Sequence, residues 1–427
     1  MTLAYTPPLS HTGAVYRPAL QPWYSAFVCS HADVRRTEGR IALDDLNLLS
    51  GTGLLTLPNF LQSAPHGLNP RRCMVSERDR IRCQGVADSG GYQISGGKLR
   101  LTENLRRELL RYSEEFEAAC ILDAPTSAIG RSGSEFNSMR DCLEFTIQSA
   151  HYAIRNRIPG KTRLLNVSQG RSPQELLEWF EAVKGFNDRR LYGDRALTGW
   201  AMAGAMRLRF ASQLPILIKL RDDGLIAPGA RLHTLGTGHP EVALALTAVQ
   251  DGLRETLAED VLVSFDNATP FLLAGQYKKA LGGASLTRQK LHVPVMPMPH
   301  GEDYVGSDMP WPCSSPFADR LTLGDLNVRR GHRQTTWDAY SHVLLAAHNV
   351  WVLCAAIAEA NRRLRLFEGD AVSWLPGDLV EMTQVIREIF RSERPATLID
   401  RNAALLDHLG SRSSNTTMIY DRGGLGR

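Results

Sequence analysis

Three aspartates stand where acid–base or nucleophilic chemistry could use them. Asp88 opens the string Asp88-Ser89-Gly90-Gly91-Tyr92-Gln93, Asp123 opens Asp123-Ala124-Pro125-Thr126, and Asp266 opens Asp266-Asn267-Ala268-Thr269-Pro270. Each follows a short apolar run. Taken singly, an aspartate at such a place suits the N-cap of the next helix. Taken together they offer a pair of carboxylates, one ionised and one holding a proton, as displacement at a sugar carbon requires. An amide joins them in Ser168-Gln169-Gly170, and a glycine-rich turn in Gly236-Thr237-Gly238-His239-Pro240. The turn by itself reads as a tight turn rather than a phosphate cradle.

The elements that must position these residues are short apolar runs alternating with amphipathic stretches. The runs are Ser25–Cys29, Leu54–Leu57, Gly85–Ala87, Ala119–Leu122, Leu164–Val167, Gly199–Ala203, Leu232–Leu235 and Val261–Phe265. Between them lie the helical patterns Thr102–Ala118, Pro173–Val183, Ala203–Arg221 and Pro240–Leu257. Strands that are apolar throughout, separated by helices, imply a parallel sheet buried on both faces. Eight of them fit a closed (β/α)8 TIM barrel over residues 1–290, and the polar residues then gather at the C-terminal ends of the strands, on one mouth. Residues 291–366 read as a proline-rich, irregular insertion followed by a long helix from about 335. Residues 367–427 read as a helical C-terminal extension with a glycine-rich tail.

Composition narrows the setting. A chain of 427 residues with 43% hydrophobic content is long enough for a large core. The net charge of +4 permits a nucleic-acid partner without arguing for one. The seven cysteines (29, 73, 83, 120, 142, 313 and 354) form no CxxC pair, so a disulfide framework is not expected and a reducing cytoplasm is. No secretory pattern and no apolar run of about 18 residues is read, so no membrane association is expected.

The strings DSGGYQ (88–93), LDAPT around Asp123, SQG (168–170), GWAMAGA (199–205), LGTGHP (235–240) and SFDNATP (264–270) occur in this order. They resemble the tRNA-guanine transglycosylase superfamily over about residues 20–275. The resemblance implies roles by position. Asp266 is expected as the nucleophile at the sugar C1′ and Asp88 as the general acid/base serving the purine N9. Asp123 is expected to accept from the guanine N1–H and 2-amino group. Gln169 and the Gly204 backbone N–H would donate to O6. Tyr92 and Leu235 would sandwich the base, Ser89 and Gly90 would line it, and the backbone near Ala205 would meet the 7-substituent. The chemistry wants these types: a carboxylate traps an oxocarbenium-like sugar, and a second carboxyl group carries the base's proton. An acceptor and a donor together fit guanine and reject adenine.

The chain departs from the tRNA enzymes at two places. Of their zinc motif, CxCxxC with a distant His, only Cys313 and His348 have counterparts, and two ligands do not close a tetrahedral site. A structural zinc is therefore not expected, unless His300, His332 or His342 completes a different one. The Pro-Thr-Arg segment after the nucleophile reads Pro270-Phe271-Leu272. A kept barrel chemistry with altered RNA-facing and zinc parts resembles the DNA-directed, DpdA-type branch. That branch implies DNA as substrate, with the target base flipped out or locally single-stranded. It also implies 7-cyano-7-deazaguanine as the incoming base, no required cofactor, and partner proteins of a DNA-modification system. A homodimer is left open. Expected phosphate contacts are Lys98, Arg100, Arg207, Arg209, Lys278, Lys279 and Arg330, with Arg329 and Arg333 beside it. The alternatives are a zinc-less enzyme acting on tRNA and a non-catalytic subunit that positions nucleic acid. A glycoside hydrolase, from the carboxylates alone, would want aromatic sugar platforms, and aromatic content is 7%.

Overall fold

The strands β1 (Val15–Pro18), β2 (Asn59–Ser63), β3 (Gln84–Asp88), β4 (Ala118–Cys120), β5 (Arg163–Ser168), β6 (Gly199–Met202), β7 (Arg231–Thr234) and β8 (Leu262–Asn267) form one parallel sheet. Its order is β1-β8-β7-β6-β5-β4-β3-β2. The structure is a computed structural model that describes residues 13–30, 34–95, 97, 100–257, 260–329, 335–366 and 374–410. The remaining seam, between β1 and β2, is spanned by a parallel bridge from Ala19 to Leu61, with the Leu20 N–H donating to Leu61 O at 2.9 Å. The chain is a (β/α)8 barrel with a helical C-terminal extension.

The strands are buried on both faces, which is why six of them read as apolar runs in the sequence. Two lie elsewhere than the runs suggest. Ser25–Cys29 belongs to the helix Pro22–Cys29, and the first strand is Val15–Pro18 instead. Leu54–Leu57 leads into the second strand, which is Asn59–Ser63. Both strands carry buried polar side chains that break the apolar pattern, Arg17 in one and Asn59, Gln62 and Ser63 in the other.

Arg17 closes the floor of the barrel. It donates to Gln84 O at 2.9 Å and to Glu117 Oε2 at 3.1 Å, and Arg231 donates to Glu117 Oε1 at 2.7 Å. Burial pushes the Glu117 carboxyl up, but the two guanidinium groups outweigh it and hold the group below the usual glutamate range. This charged floor sits opposite the mouth, so its part is stability rather than chemistry.

Helices Pro173–Val183 and Pro240–Leu257 occupy the expected spans. Ser172 caps the first by accepting from the Glu175 N–H, and Pro173 needs no donor at that position. The helix expected over Ala203–Arg221 begins only at Phe210, because 203–209 is loop at the mouth. Beyond β8, a short antiparallel ribbon pairs Lys279–Leu281 with Val295–Pro297 and so straddles residue 290. The helix Ala339–Leu366 is apolar and long enough to cross a membrane, yet 89% of its apolar window is buried in the protein, which makes it a core helix. The helix Gly377–Arg391 packs on Pro240–Leu257, where Asp251 accepts from Arg387 at 2.6 Å and from Arg365 at 2.8 Å. The glycine-rich tail, like Lys98, Arg330, His332 and Arg333, lies outside the described residues.

Candidate active site at the barrel mouth

Asp88 is the last residue of β3, Asp123 follows β4, Gln169 follows β5, and Asp266 is the penultimate residue of β8. The barrel thus brings the three aspartates and the amide to one end. Asp123, Gln169 and Asp266 are buried and Asp88 is half-buried.

Asp88 is pushed up to about 7, first by burial and then by the charges of Asp123 and Asp266. The Gly90 N–H and the Ser63 hydroxyl bond to the carboxylate and pull the other way. Asp88 therefore exchanges a proton near neutrality. Asp123 is pushed up to about 6 by burial, against hydrogen bonds from Gln169 and Ser89. Those bonds are Gln169 Nε2 to Asp123 Oδ2 at 2.8 Å and Ser89 Oγ to Asp123 Oδ1 at 3.3 Å.

Two glycines make this packing feasible. A Cβ on Gly91 would sit 2.0 Å from Asp123 O, so the turn after Asp88 needs glycine to lie against the Asp123 backbone. Gly204 has φ +71°, and its Cβ would meet Gln169 Oε1 at 2.7 Å. Leu235 is half-buried and Ala205 exposed, on the loops that follow β7 and β6. Tyr92 is the second residue of the helix Gly91–Ser95.

Asp266 is held on one oxygen. The Gly236 N–H donates to Oδ1 at 3.0 Å, and His233 Nε2 lies 3.2 Å from the same atom. His233 Nδ1 lies 2.8 Å from Ser264 Oγ. His233 is not among the residues expected from the sequence. Its signal was a histidine inside the apolar run Leu232–Leu235, two residues before the strand end. In the β7–β8 register His233 pairs with Ser264, on the same face as Asp266.

Arg207 ties two mouth loops together, donating to Gly204 O at 2.8 Å and Gly236 O at 3.2 Å. Burial lowers its pKa, and the Asp266 charge beside it raises it in part. Of the other basic residues named from the sequence, Arg100 and Arg329 are exposed. Arg209 pairs with Asp407 at 3.8 Å. Lys278 and Lys279 follow the helix Thr269–Tyr277, at its end away from the mouth. Lys278 donates to Thr335 Oγ1 at 2.9 Å, and Lys279 lies 5.7 Å from the centre of the Tyr277 ring. The structure does not gather the two lysines with the mouth residues.

The residues matching the zinc motif do not fit a metal. His348 is fully buried, with Nδ1 2.8 Å from Ser315 Oγ and Nε2 2.8 Å from Leu281 O. A carbonyl only accepts, so Nε2 carries the proton and Nδ1 takes the serine's. No lone pair is left for a cation, and burial pushes the group down to about 4. His342 and His300 each donate Nδ1–H to a backbone carbonyl, Ala274 O and Met298 O. Burial pushes the Cys313 thiol up to about 12. Among the described residues no group of three or more His, Cys, Asp and Glu side chains is placed to hold a metal.

No family model and no curated protein matches this sequence.

Proposed function

We propose that this chain exchanges a guanine in DNA for a 7-deazaguanine by double displacement, as a pentosyltransferase. The observation that carries the proposal is the unequal pair at the mouth. Asp88 holds its proton up to about pH 7, while Asp266, buried beside Arg207, is fixed by donors on a single oxygen. Asp266 attacks C1′, the C1′–N9 bond breaks, and the electron pair leaves on N9, which takes the Asp88 proton. The incoming base then gives its N9 proton to Asp88 and displaces the ester. Each half uses one carboxylate and one proton carrier, so the exchange needs no redox partner and no nucleotide triphosphate.

The Asp123–Gln169 pair supports a guanine-like edge, an acceptor beside a reversible amide. A small 7-substituent beside the Gly204 and Ala205 backbone is implied by the family resemblance, and a cyano group is the one proposed. DNA rather than tRNA is proposed from the altered Pro270-Phe271-Leu272 segment and from the hydrogen-bonded His348. A duplex target must present a flipped base to so buried a site, and partner proteins of a DNA-modification system would supply that opening. The seven unpaired cysteines suit a cytoplasmic protein.

The test is transfer of labelled guanine or 7-cyano-7-deazaguanine to DNA and, in parallel, to tRNA by the purified chain. Label in DNA supports the proposal. Label in tRNA alone moves the substrate to tRNA, and no label in either rejects base exchange.

A further inference from the structure

The bonds around His233 determine which oxygen of Asp266 is free. The Ser264 hydroxyl has one proton and two acceptors in reach, His233 Nδ1 at 2.8 Å and Leu232 O at 3.3 Å. Giving it to His233 Nδ1 leaves the proton of the ring on Nε2, the arrangement that also gives Asp266 a donor. An imidazole that accepts at Nδ1 carries its own proton on Nε2, and Nε2 faces Asp266 Oδ1 at 3.2 Å. The other neutral tautomer would set a lone pair against a carboxylate oxygen, with His233 wholly out of water. The Gly236 N–H lands on the same Oδ1. Oδ2 has no hydrogen-bond partner among the described residues.

We propose that His233 is the positioning residue of the nucleophile: its Nε2–H, fixed by Ser264, pins Asp266 Oδ1 so that Oδ2 attacks the sugar. This rests on the base-exchange proposal above. The Oδ2 lone pair forms the C1′–O bond as C1′–N9 breaks, and Oδ1 becomes the ester carbonyl oxygen, still accepting from His233 and Gly236. In the return half C1′–Oδ2 breaks and the pair goes back to a carboxylate whose Oδ1 is already held. Neither donor moves between the two halves, which is the preorganisation that speeds both.

Two measurements test this on the full chain. The first is the tautomer of His233, read by long-range nitrogen–proton correlation on protein labelled with 15N-histidine and assigned with His233→Gln. The expected result is a neutral ring protonated at Nε2, and Ser264→Ala moves part of it to Nδ1. A wild-type ring protonated at Nδ1 overturns the proposal. The second is steady-state exchange of labelled guanine into DNA. His233→Leu should lower kcat about 10- to 100-fold with little change in the KM for DNA, and His233→Gln, whose amide donates, should recover much of it. Undiminished kcat in His233→Leu overturns the proposal. If that variant does not fold, Ser264→Ala carries the kinetic test, with a smaller fall in kcat expected and an unchanged kcat counting against the relay. A wild-type chain that exchanges no base rejects the base-exchange proposal instead, and the tautomer alone then decides whether His233 holds Asp266.

Discussion

Gln169 and Asp123 join two neighbouring strand ends of the barrel, β5 and β4, with Gln169 Nε2 donating to Asp123 Oδ2 at 2.8 Å. Gln169 Oε1 is left buried without a partner. A purine read by both residues must take this bond apart: its N1–H and 2-amino group go to Asp123, and the amide turns its donor to O6. Asp123→Asn removes the acceptor and keeps the shape. Guanine affinity should fall about 10- to 100-fold, measured by calorimetry on the folded variant. Unchanged affinity would place the base elsewhere.

The same carboxylate gives a pH dependence. In the proposed function guanine binds ionised Asp123, and burial holds that proton up to about 6. Guanine binding should therefore weaken as pH falls through about 6. In the proposed first half-reaction Asp88 gives a proton, so its pH dependence has the opposite sense. Single-turnover release of guanine should slow above about pH 7 and lose that dependence in Asp88→Asn, at a lower rate.

Asp88 also costs stability. Its folded pKa is raised, so the unfolded state ionises first as pH rises. The stability it lends is complete below about pH 4 and is lost as pH climbs to about 7. Asp88→Asn should be more stable than the wild type at pH 8, by roughly 1–3 kcal/mol after allowing for solvent near a half-buried group. The advantage should shrink towards pH 4. Denaturant unfolding at the two pH values checks it.

Most of the barrel was legible because six strands buried on both faces each contain a short, mainly apolar run. The first two were not, since Arg17, Asn59 and Gln62 turn polar groups inward and look like loop in one dimension. That Asp88, Asp123, Gln169 and Asp266 lie at one end was legible because strand ends of a barrel share a mouth. His233 was not, because its meaning lies in the β7–β8 register that sets it beside Ser264 and Asp266. Arg207 and Lys278 show the reverse. Charge in a sequence does not say whether a side chain faces solvent or, as here, holds Gly204, Gly236 and Thr335.

Glu117→Gln leaves Arg17 and Arg231 without their shared counter-ion, and Arg17 has no exposed surface. The loss should be about 3–5 kcal/mol, read by denaturant unfolding, with catalysis per folded molecule unchanged.

The region around His348 should be indifferent to metal. Chelator or added zinc should leave the melting temperature within about 1 °C, because both ring nitrogens of His348 are engaged by Ser315 and Leu281. A rise of several degrees with zinc would mean that Ser315 and Leu281 release His348 to a metal.

The proposed exchange requires Asp266 to become covalently attached to the sugar. The direct measurement is denaturing electrophoresis and mass spectrometry of the chain after incubation with a guanine-containing DNA oligonucleotide. The account predicts a protein–DNA adduct that survives denaturation, maps to Asp266 and is absent from Asp266→Asn. Base exchange at full rate by Asp266→Asn, with no adduct in the wild type, would contradict it.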